Sequence, residues 1–210
     1  MNLKFEFFNS IKNAINLNTL TLGWLRALNI ESLGNYIVDE LPSVYQLELS
    51  GNSGDDRVSI LKDLKGIEKF TGLKKLTMNY TSANLDISAI KNCPTLETVN
   101  LGYCNINSLN GIEELTNLKT LNINNNNITA LKPLENLKNL TTLNLENNAI
   151  ADTATYVENG ETKTYRNLDI LANLNSKRNG KLTTLKLAGN NNIIDYSPVS
   201  SLNWSNKSGF

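Results

Sequence analysis

Histidine is absent from the 210 residues. Its absence removes the Ser-His-Asp and Cys-His routes to an activated nucleophile, along with the commonest transition-metal ligand. Cysteine occurs twice, at Cys93 and Cys104, too few for a disulfide framework and silent about redox compartment. Buried free thiols are expected. Neither sign of charge prevails, with 20 Lys plus Arg against 20 Asp plus Glu, so nothing suggests steering toward nucleic acid or an anionic membrane. Apolar runs fall far short of the roughly 20 residues a bilayer span requires, and "MNLKFEFFNSIKNAINL" lacks the apolar core of a cleavable signal. A soluble chain without membrane insertion is expected. Its 40% hydrophobic content suffices to fill a core.

What the chain does have is a repeat. In "NLKTLNINNNNITAL", Leu118, Leu121, Ile123, Asn126 and Ile128 follow the pattern L-x-x-L-x-L-x-x-N-x-I. Leu96, Val99, Leu101, Cys104 and Ile106 repeat it, as do Leu140, Leu143, Leu145, Asn148 and Ile150. Leu73, Leu76 and Met78 begin a weaker copy, Val44, Leu47, Leu49 and Asn52 the earliest clear one, and Leu182, Leu185 and Leu187 a late one. Starts at 73, 96, 118 and 140 are 22 or 23 residues apart, a leucine-rich repeat period. The longer steps from 44 to 73 and from 140 to 182 mark insertions, the first at "GNSGDDRVS".

These motifs resemble the leucine-rich repeat family and, within it, the internalin-type repeats of Gram-positive surface proteins, from about Val44 to Leu202. "ITALKPLENLKNLTTLNLENNAI" and "IIDYSPVSSL" carry that subtype's proline-containing return segment, and "LKGIEKFTGLKKL" resembles its first repeat, echoed by "LNGIEELTNLKTL". The resemblance implies an α/β leucine-rich repeat solenoid: a curved parallel β-sheet on the concave face, short helices or 3-10 turns on the convex side, and a helical N-terminal cap. It also implies extracellular protein recognition, at the cell surface or secreted. The chain departs from the pattern in showing no signal peptide, and after Leu202 only "NWSNKSGF", without an Ig-like domain or wall anchor.

Each unit is expected to add a parallel strand about 4.8 Å from the last, its leucines stacking into one core. The asparagine at the ninth position is expected to turn its amide inward and satisfy backbone groups where the chain leaves the sheet. Asn126 is thus structural, while Asn124, Asn125 and Asn127 are expected to be solvated. Cys104 replaces the ladder asparagine as a small buried side chain. Cys93 falls at a convex-side core position, an offset that disfavours a bridge to Cys104.

The domain division read from this pattern is an N-terminal cap over 1–43 and a repeat array over 44–210, with a hairpin insertion at about 151–181. For the cap, Leu22, Leu25, Leu28 and Leu33 have helical spacing ending at Gly34. The rival reading is a degenerate repeat beginning at Leu17, Leu20 and Leu22. Within the insertion, "TYVENGETKTY" alternates around Asn159-Gly160, a strong hairpin signal, and Leu168, Leu171 and Leu174 then suit a short convex-side helix.

On the concave face the variable positions fall into columns. Thr98, Thr120, Thr142 and Thr184 form one and Asn100, Asn122 and Asn144 another, while Lys74, Glu97 and Lys119 alternate in charge at the strand edge. Tyr80 and Tyr103 share an offset, which predicts an aromatic pair on the concave floor beside Asn100 and within reach of Lys74 and Glu97. Tyr80, Tyr103, Asn100, Asn122, Asn144, Lys74, Glu97 and Lys119 are the candidate ligand-binding residues, since aromatic anchors on a polar floor suit protein recognition. Threonine and asparagine serve equally to keep an exposed sheet soluble. Asp55 and Asp56 lack a cation-loop spacing, so no metal and no cofactor is expected. Carboxylate pairs such as Glu113-Glu114 are expected on the convex side without a cleft, and no catalytic residue is identified.

The function expected is a non-catalytic binding module for a protein ligand, adhesion-like, with carbohydrate as an alternative ligand. The alternatives are a structural spacer and the accessory arm of a larger surface protein or enzyme. Register is expected to show in stability: Asn126→Ala and Asn148→Ala each cost about 1–3 kcal/mol through unpaired backbone groups, and Asn125→Ala is near neutral.

Overall fold

The structure is a computed structural model that describes residues 17–22, 30–37, 39–49, 60–81, 84–175 and 180–210. Eight three-residue strands run parallel in one sheet: β1 (Thr19–Thr21), β2 (Gln46–Glu48), β3 (Lys75–Thr77), β4 (Thr98–Asn100), β5 (Thr120–Asn122), β6 (Thr142–Asn144), β9 (Thr184–Lys186) and β10 (Asn206–Ser208). Each pairs with its neighbours in that order, and among the described residues the antiparallel pair β7 (Thr153–Glu158) and β8 (Glu161–Arg166) interrupts the array between β6 and β9. In β2 to β6 and β9 only the middle residue is buried, because alternation points one side chain of three into the core and two toward the open face. Leu47, Leu76, Val99, Leu121, Leu143 and Leu185 are in direct register, and all are fully buried.

The expected asparagine ladder is present. Asn126 Oδ1 accepts hydrogen bonds from Cys104 N and Ile106 N, and its Nδ2 donates to Leu101 O, Ile123 O and Asn124 O. Asn148 repeats this one unit on, accepting from Ile128 N and donating to Ile123 O and Leu145 O. Asn190, at the same offset from Leu182, accepts from Ile150 N and donates to Leu145 O and Leu187 O. Thr81 and Cys104 hold this place in the earlier units; both are buried, and Cys104 Sγ donates to Met78 O and Gly102 O.

Three residues past the end of β3, β4, β5, β6 and β9, the sequence expectation needs correction. Tyr80, Tyr103, Asn125 and Asn147 have φ of 61°, 58°, 55° and 53°, and Gly189 at the same offset has 79°. These five units therefore make the same left-handed turn immediately before the ladder residue. The turn lets Asn125 N donate to Glu146 O and Asn147 N to Ala188 O, carrying the inter-repeat pairing past the strands. Asn125 is half-buried, and its Oδ1 accepts from Asn147 Nδ2. Asn124 is half-buried as well, leaving Asn127 as the exposed member of the four. Asn125 is thus constrained by backbone conformation, which asparagine and glycine tolerate best.

The convex side is built of single 3-10 turns, among them Ile67–Lys69, Ser88–Asn92, Ile112–Glu114 and Lys132–Leu134. The two "GIE" motifs share one local device: Gly66 and Gly111 take φ of 93° and 95°, and the glutamate two residues on, Glu68 or Glu113, accepts from the glycine N–H. A side chain at Gly111 would meet Ser88 O at 2.6 Å, so the close stacking of turns also requires glycine there.

At the N-terminal end, the helix expected through Leu22 and Leu33 is not what the described residues form. Thr19–Thr21 is a strand paired with β2, Leu22 N donates to Glu48 O, and Leu33 opens a separate 3-10 turn over Leu33–Asn35. Leu20 and Leu22 are buried as array leucines, in agreement with the degenerate-repeat reading. Leu25, Leu28 and residues 1–16 lie outside the described residues, as do Asn52, Asp55 and Asp56. At the other end β10 adds a strand where none was expected. Trp204 takes the place of Leu182 in register, while Lys207 stands opposite Leu185 and lays its ammonium over the Phe210 ring, 5.2 Å from the centroid. Phe210 stacks on Tyr196 and meets Trp204 edge-on, so an aromatic cluster lies against this end of the core.

The insertion is the expected hairpin, with Asn159 and Gly160 at φ of 54° and 80° in the two-residue turn. Helix α1 (Asn167–Leu174) follows and buries Leu168, Leu171 and Leu174. Asn167, fully buried, was invisible to the repeat pattern. It accepts from Leu131 N and donates to Thr129 O and Ala151 O, doing for the insertion what ladder asparagines do elsewhere. The hairpin also touches the array directly, because Tyr165 Oη accepts from Lys132 N.

Two stability outcomes follow. Asn126→Ala should cost about 1–3 kcal/mol and Asn125→Ala about 1 kcal/mol, whereas Asn125→Gly should cost only a few tenths of a kcal/mol; urea unfolding in which Asn125→Gly proved worse than Asn125→Ala would contradict the left-handed turn. Thr153 and Arg166 are direct cross-strand partners, so excising 153–166 leaves ends already close enough to join. The shortened protein should still unfold in one cooperative transition, less stable by about 1–3 kcal/mol for the lost partner of Lys132 N; a broadened, multistep melt would show that the array depends on the hairpin.

Candidate recognition surface

The open face of the sheet carries the columns expected of it. Thr98, Thr120, Thr142 and Thr184 are consecutive register partners, and so are Asn100, Asn122 and Asn144. Two of the asparagines have structural work as well. Asn122 Oδ1 accepts from Asn124 N and Asn144 Oδ1 from Glu146 N, each turning the chain as it leaves its strand.

Lys74, Glu97 and Lys119 precede their strands and line one edge of this face. Glu97 is paired with both neighbours, Lys119 Nζ at 2.5 Å and Lys74 Nζ at 3.7 Å. The hydrogen bond and charge of Lys119, with Lys74 adding less, hold the Glu97 carboxyl below the ordinary glutamate range. Exposed pairs of this kind contribute little to stability. They do present a fixed pattern of alternating charge.

Tyr80 and Tyr103 follow their strands and lie along the opposite edge. Their rings stack with centroids 4.7 Å apart and planes 20° from parallel, and Tyr103 is 45% exposed. The pairing expected from their shared offset is therefore present, but not on the floor of the sheet. They sit in the left-handed turn, with the three strand residues between them and the Lys74–Glu97–Lys119 row. The candidate residues form three parallel lines: charge at one edge, amides along the middle and aromatics at the other edge.

A groove of about 440 Å³ lies away from this face, between the hairpin and the turns that carry the chain to the convex side. Glu113 and Glu135 line it, so Glu113 does border a cleft, contrary to expectation. Both carboxylates are engaged, Glu113 with Gly111 N and Glu135 with Lys132 Nζ. Among the described residues no group of three or more His, Cys, Asp or Glu could hold a metal, and no helix is long and apolar enough to cross a membrane.

A family model described as leucine-rich repeats, in two copies, matches residues 94–136 and 116–156. Residues 94–156 thus match the leucine-rich repeat family, and the parallel single-file sheet with its asparagine ladder gives the described array a leucine-rich repeat fold. No curated protein matches it. Among solved structures it is similar to an internalin C2 from Listeria monocytogenes, at 23% identity and a TM-score of 0.62 over 99% of this chain and 93% of that one. It is also similar to an internalin, InlF, of the same organism, at 22% identity and a TM-score of 0.52 over 92% of this chain and 58% of that one. Its fold is that of a leucine-rich repeat solenoid, similar to these internalin structures. Such a fold suggests a protein-interaction module.

Both cysteines are free and buried, Cys93 donating to Ile67 O and Cys104 to carbonyls of its own and the preceding unit. Burial pushes each thiol up to about 12, with Glu68 adding to the effect at Cys93. At pH 8 only about one thiol in ten thousand is ionised. A colorimetric thiol reagent at that pH should therefore label neither residue in the folded protein and both after denaturation; rapid labelling of one in the folded state would assign it a reactive role.

Proposed function

We propose that this protein is a non-catalytic recognition module that binds a protein ligand, secreted or at a bacterial cell surface, through the concave face and the Tyr80–Tyr103 edge. One observation carries the reading. Where other units place Asn125, Asn147 and Gly189 in the left-handed turn, these two place tyrosine. A bulky residue in that region costs about 1–2 kcal/mol, against which the rings set their partial burial and a stack worth roughly 0.5–1.5 kcal/mol beyond it. Asparagine or glycine fills the same turn elsewhere at a lower backbone cost. A rigid, half-exposed aromatic pair does suit a partner, which gains large contact area while immobilising few torsions. The asparagine column and the Lys74–Glu97–Lys119 row would then set orientation along the same partner, since polar and charged groups around an aromatic anchor contribute specificity more than affinity.

The test uses the array's own alternative residue. Replacing Tyr80 and Tyr103 together by asparagine relaxes the backbone while removing the rings, so the double variant should melt within about 4 °C of the parent. Proteins captured from a preparation of surface proteins by the parent should be lost from the variant, with affinity for any one of them falling by about 2 kcal/mol or more. Undiminished capture, or a large fall in melting temperature, would make the tyrosines packing residues and remove the recognition edge.

A further inference from the structure

The hairpin groove is independent of the concave face and is not occupied by any of the groups that build the array. It continues into a second hollow of about 370 Å³, the two sharing Asn107, Ser108 and Asn110. The combined trough runs across successive turns of the solenoid and is walled at one end by Tyr156 and Tyr165 of the hairpin. Its size suits a small ligand of several rings.

The chemistry of the lining is unusual for a protein-docking surface. Large aliphatic side chains are nearly absent from it, with Leu109, Leu85 and Ile87 turned into the core and buried. What faces the space is amide and hydroxyl. Asn107, Asn110 and Asn136 are exposed, and among the described residues none has a side-chain hydrogen bond. The charges at the hairpin end are mutually satisfied: Lys132 Nζ binds Glu135 at 2.6 Å and lies 4.7 Å from the Tyr156 ring centroid. Glu135 holds the Lys132 ammonium above the ordinary lysine range, so the pair stays ionised and internally neutral. Tyr156 and Tyr165 meet edge-to-face at 5.8 Å, which fixes both rings as a wall.

We infer that this trough is a binding site for a neutral oligosaccharide. A sugar hydroxyl both donates and accepts, and an amide side chain is the group that offers a donor and an acceptor side by side. Sugar rings also present C–H faces that pack on tyrosine. An anionic ligand would find no unpaired cation at the hairpin end, and a cation no vacant carboxylate there, because Glu113 and Glu135 are already bonded. The hairpin supplies the aromatic wall, and two successive units supply the amides, Asn107 and Asn110 from one and Asn136 from the next. This assignment does not rest on the concave-face reading.

The experiment is titration of the intact chain, followed by ligand-observed NMR, with three neutral trisaccharides as probes: maltotriose, cellotriose and triacetylchitotriose. At least one should bind saturably with a Kd of about 1 mM or tighter. Asn107→Ala, an exposed change that removes no hydrogen bond of the fold, and Tyr156→Ala, checked for an unchanged melt, should each weaken it by about tenfold. The Tyr80 and Tyr103 double asparagine variant should bind the same sugar as the parent does, separating this site from the concave one. Absence of saturable binding by all three probes, or binding that neither groove variant weakens, overturns the assignment. Binding of an unstructured peptide in the groove, competing with no sugar, would overturn it in favour of a peptide site.

Discussion

A sheet whose strands are three residues long is mostly edge along the chain, and its stability depends on what receives the backbone groups where each strand ends. In this solenoid the receiver is a buried amide. Asn126 accepts from two N–H groups of the preceding unit and donates to carbonyls of both units, so it belongs to neither alone. Each ladder residue is in effect an interface between neighbours, the term that makes a one-dimensional array cooperative. The arrangement also explains why Cys104 is tolerated. A thiol cannot accept as an amide oxygen does, but Thr81 N of the preceding unit is received by Tyr103 O instead, and Cys104 Sγ still donates to Met78 O and Gly102 O.

The same logic accounts for which parts of the fold could be read from residues. The period of 22, the inward leucines, the ladder and the Asn159-Gly160 hairpin are local signals, each enforced within a few residues by sterics or pleat. The left-handed turn was not read, although it is just as periodic, because Tyr80, Tyr103, Asn125, Asn147 and Gly189 share no side-chain chemistry and only a backbone angle. Glycine at the last of these positions was the available clue. Leu20 and Leu22 were ambiguous because a three-residue strand is too short to distinguish alternation from helical spacing. The unit of β10 was hidden for another reason: Lys207 stands where the pattern would place the central leucine.

Of the candidate site, the columns were legible and their separation was not. Repeat offset predicts which residues stand side by side across strands, and Thr98 to Thr184, Asn100 to Asn144 and the Lys74–Glu97–Lys119 row all do. It says little about where the chain turns away from the sheet, and so the tyrosines fall on an edge rather than the floor. The hairpin groove lay further beyond reach. It joins residues about 50 positions apart, such as Asn107 and Tyr156, through a contact that no period encodes.

Insertion into a solenoid is cheap only at certain points, and this one shows the conditions. The hairpin leaves and returns through a directly paired couple, Thr153 and Arg166, so β6 and β9 can remain neighbours as if nothing intervened. What the insertion disturbs is not the ladder, which Asn190 continues unbroken by accepting from Ile150 N and donating to Leu145 O, but the backbone pairing beyond it. Asn167 repairs that from the far end of the hairpin, binding Leu131 N, Thr129 O and Ala151 O, while Arg166 reaches Asp195 and Asp152 accepts from Ile194 N and Asp195 N to fasten the following turn. The backbone groups exposed by the detour are thus met by side chains of the detour itself. A projecting element held this way is free to vary in its outward residues, and the groove beneath it is a surface that an uninterrupted array would not possess.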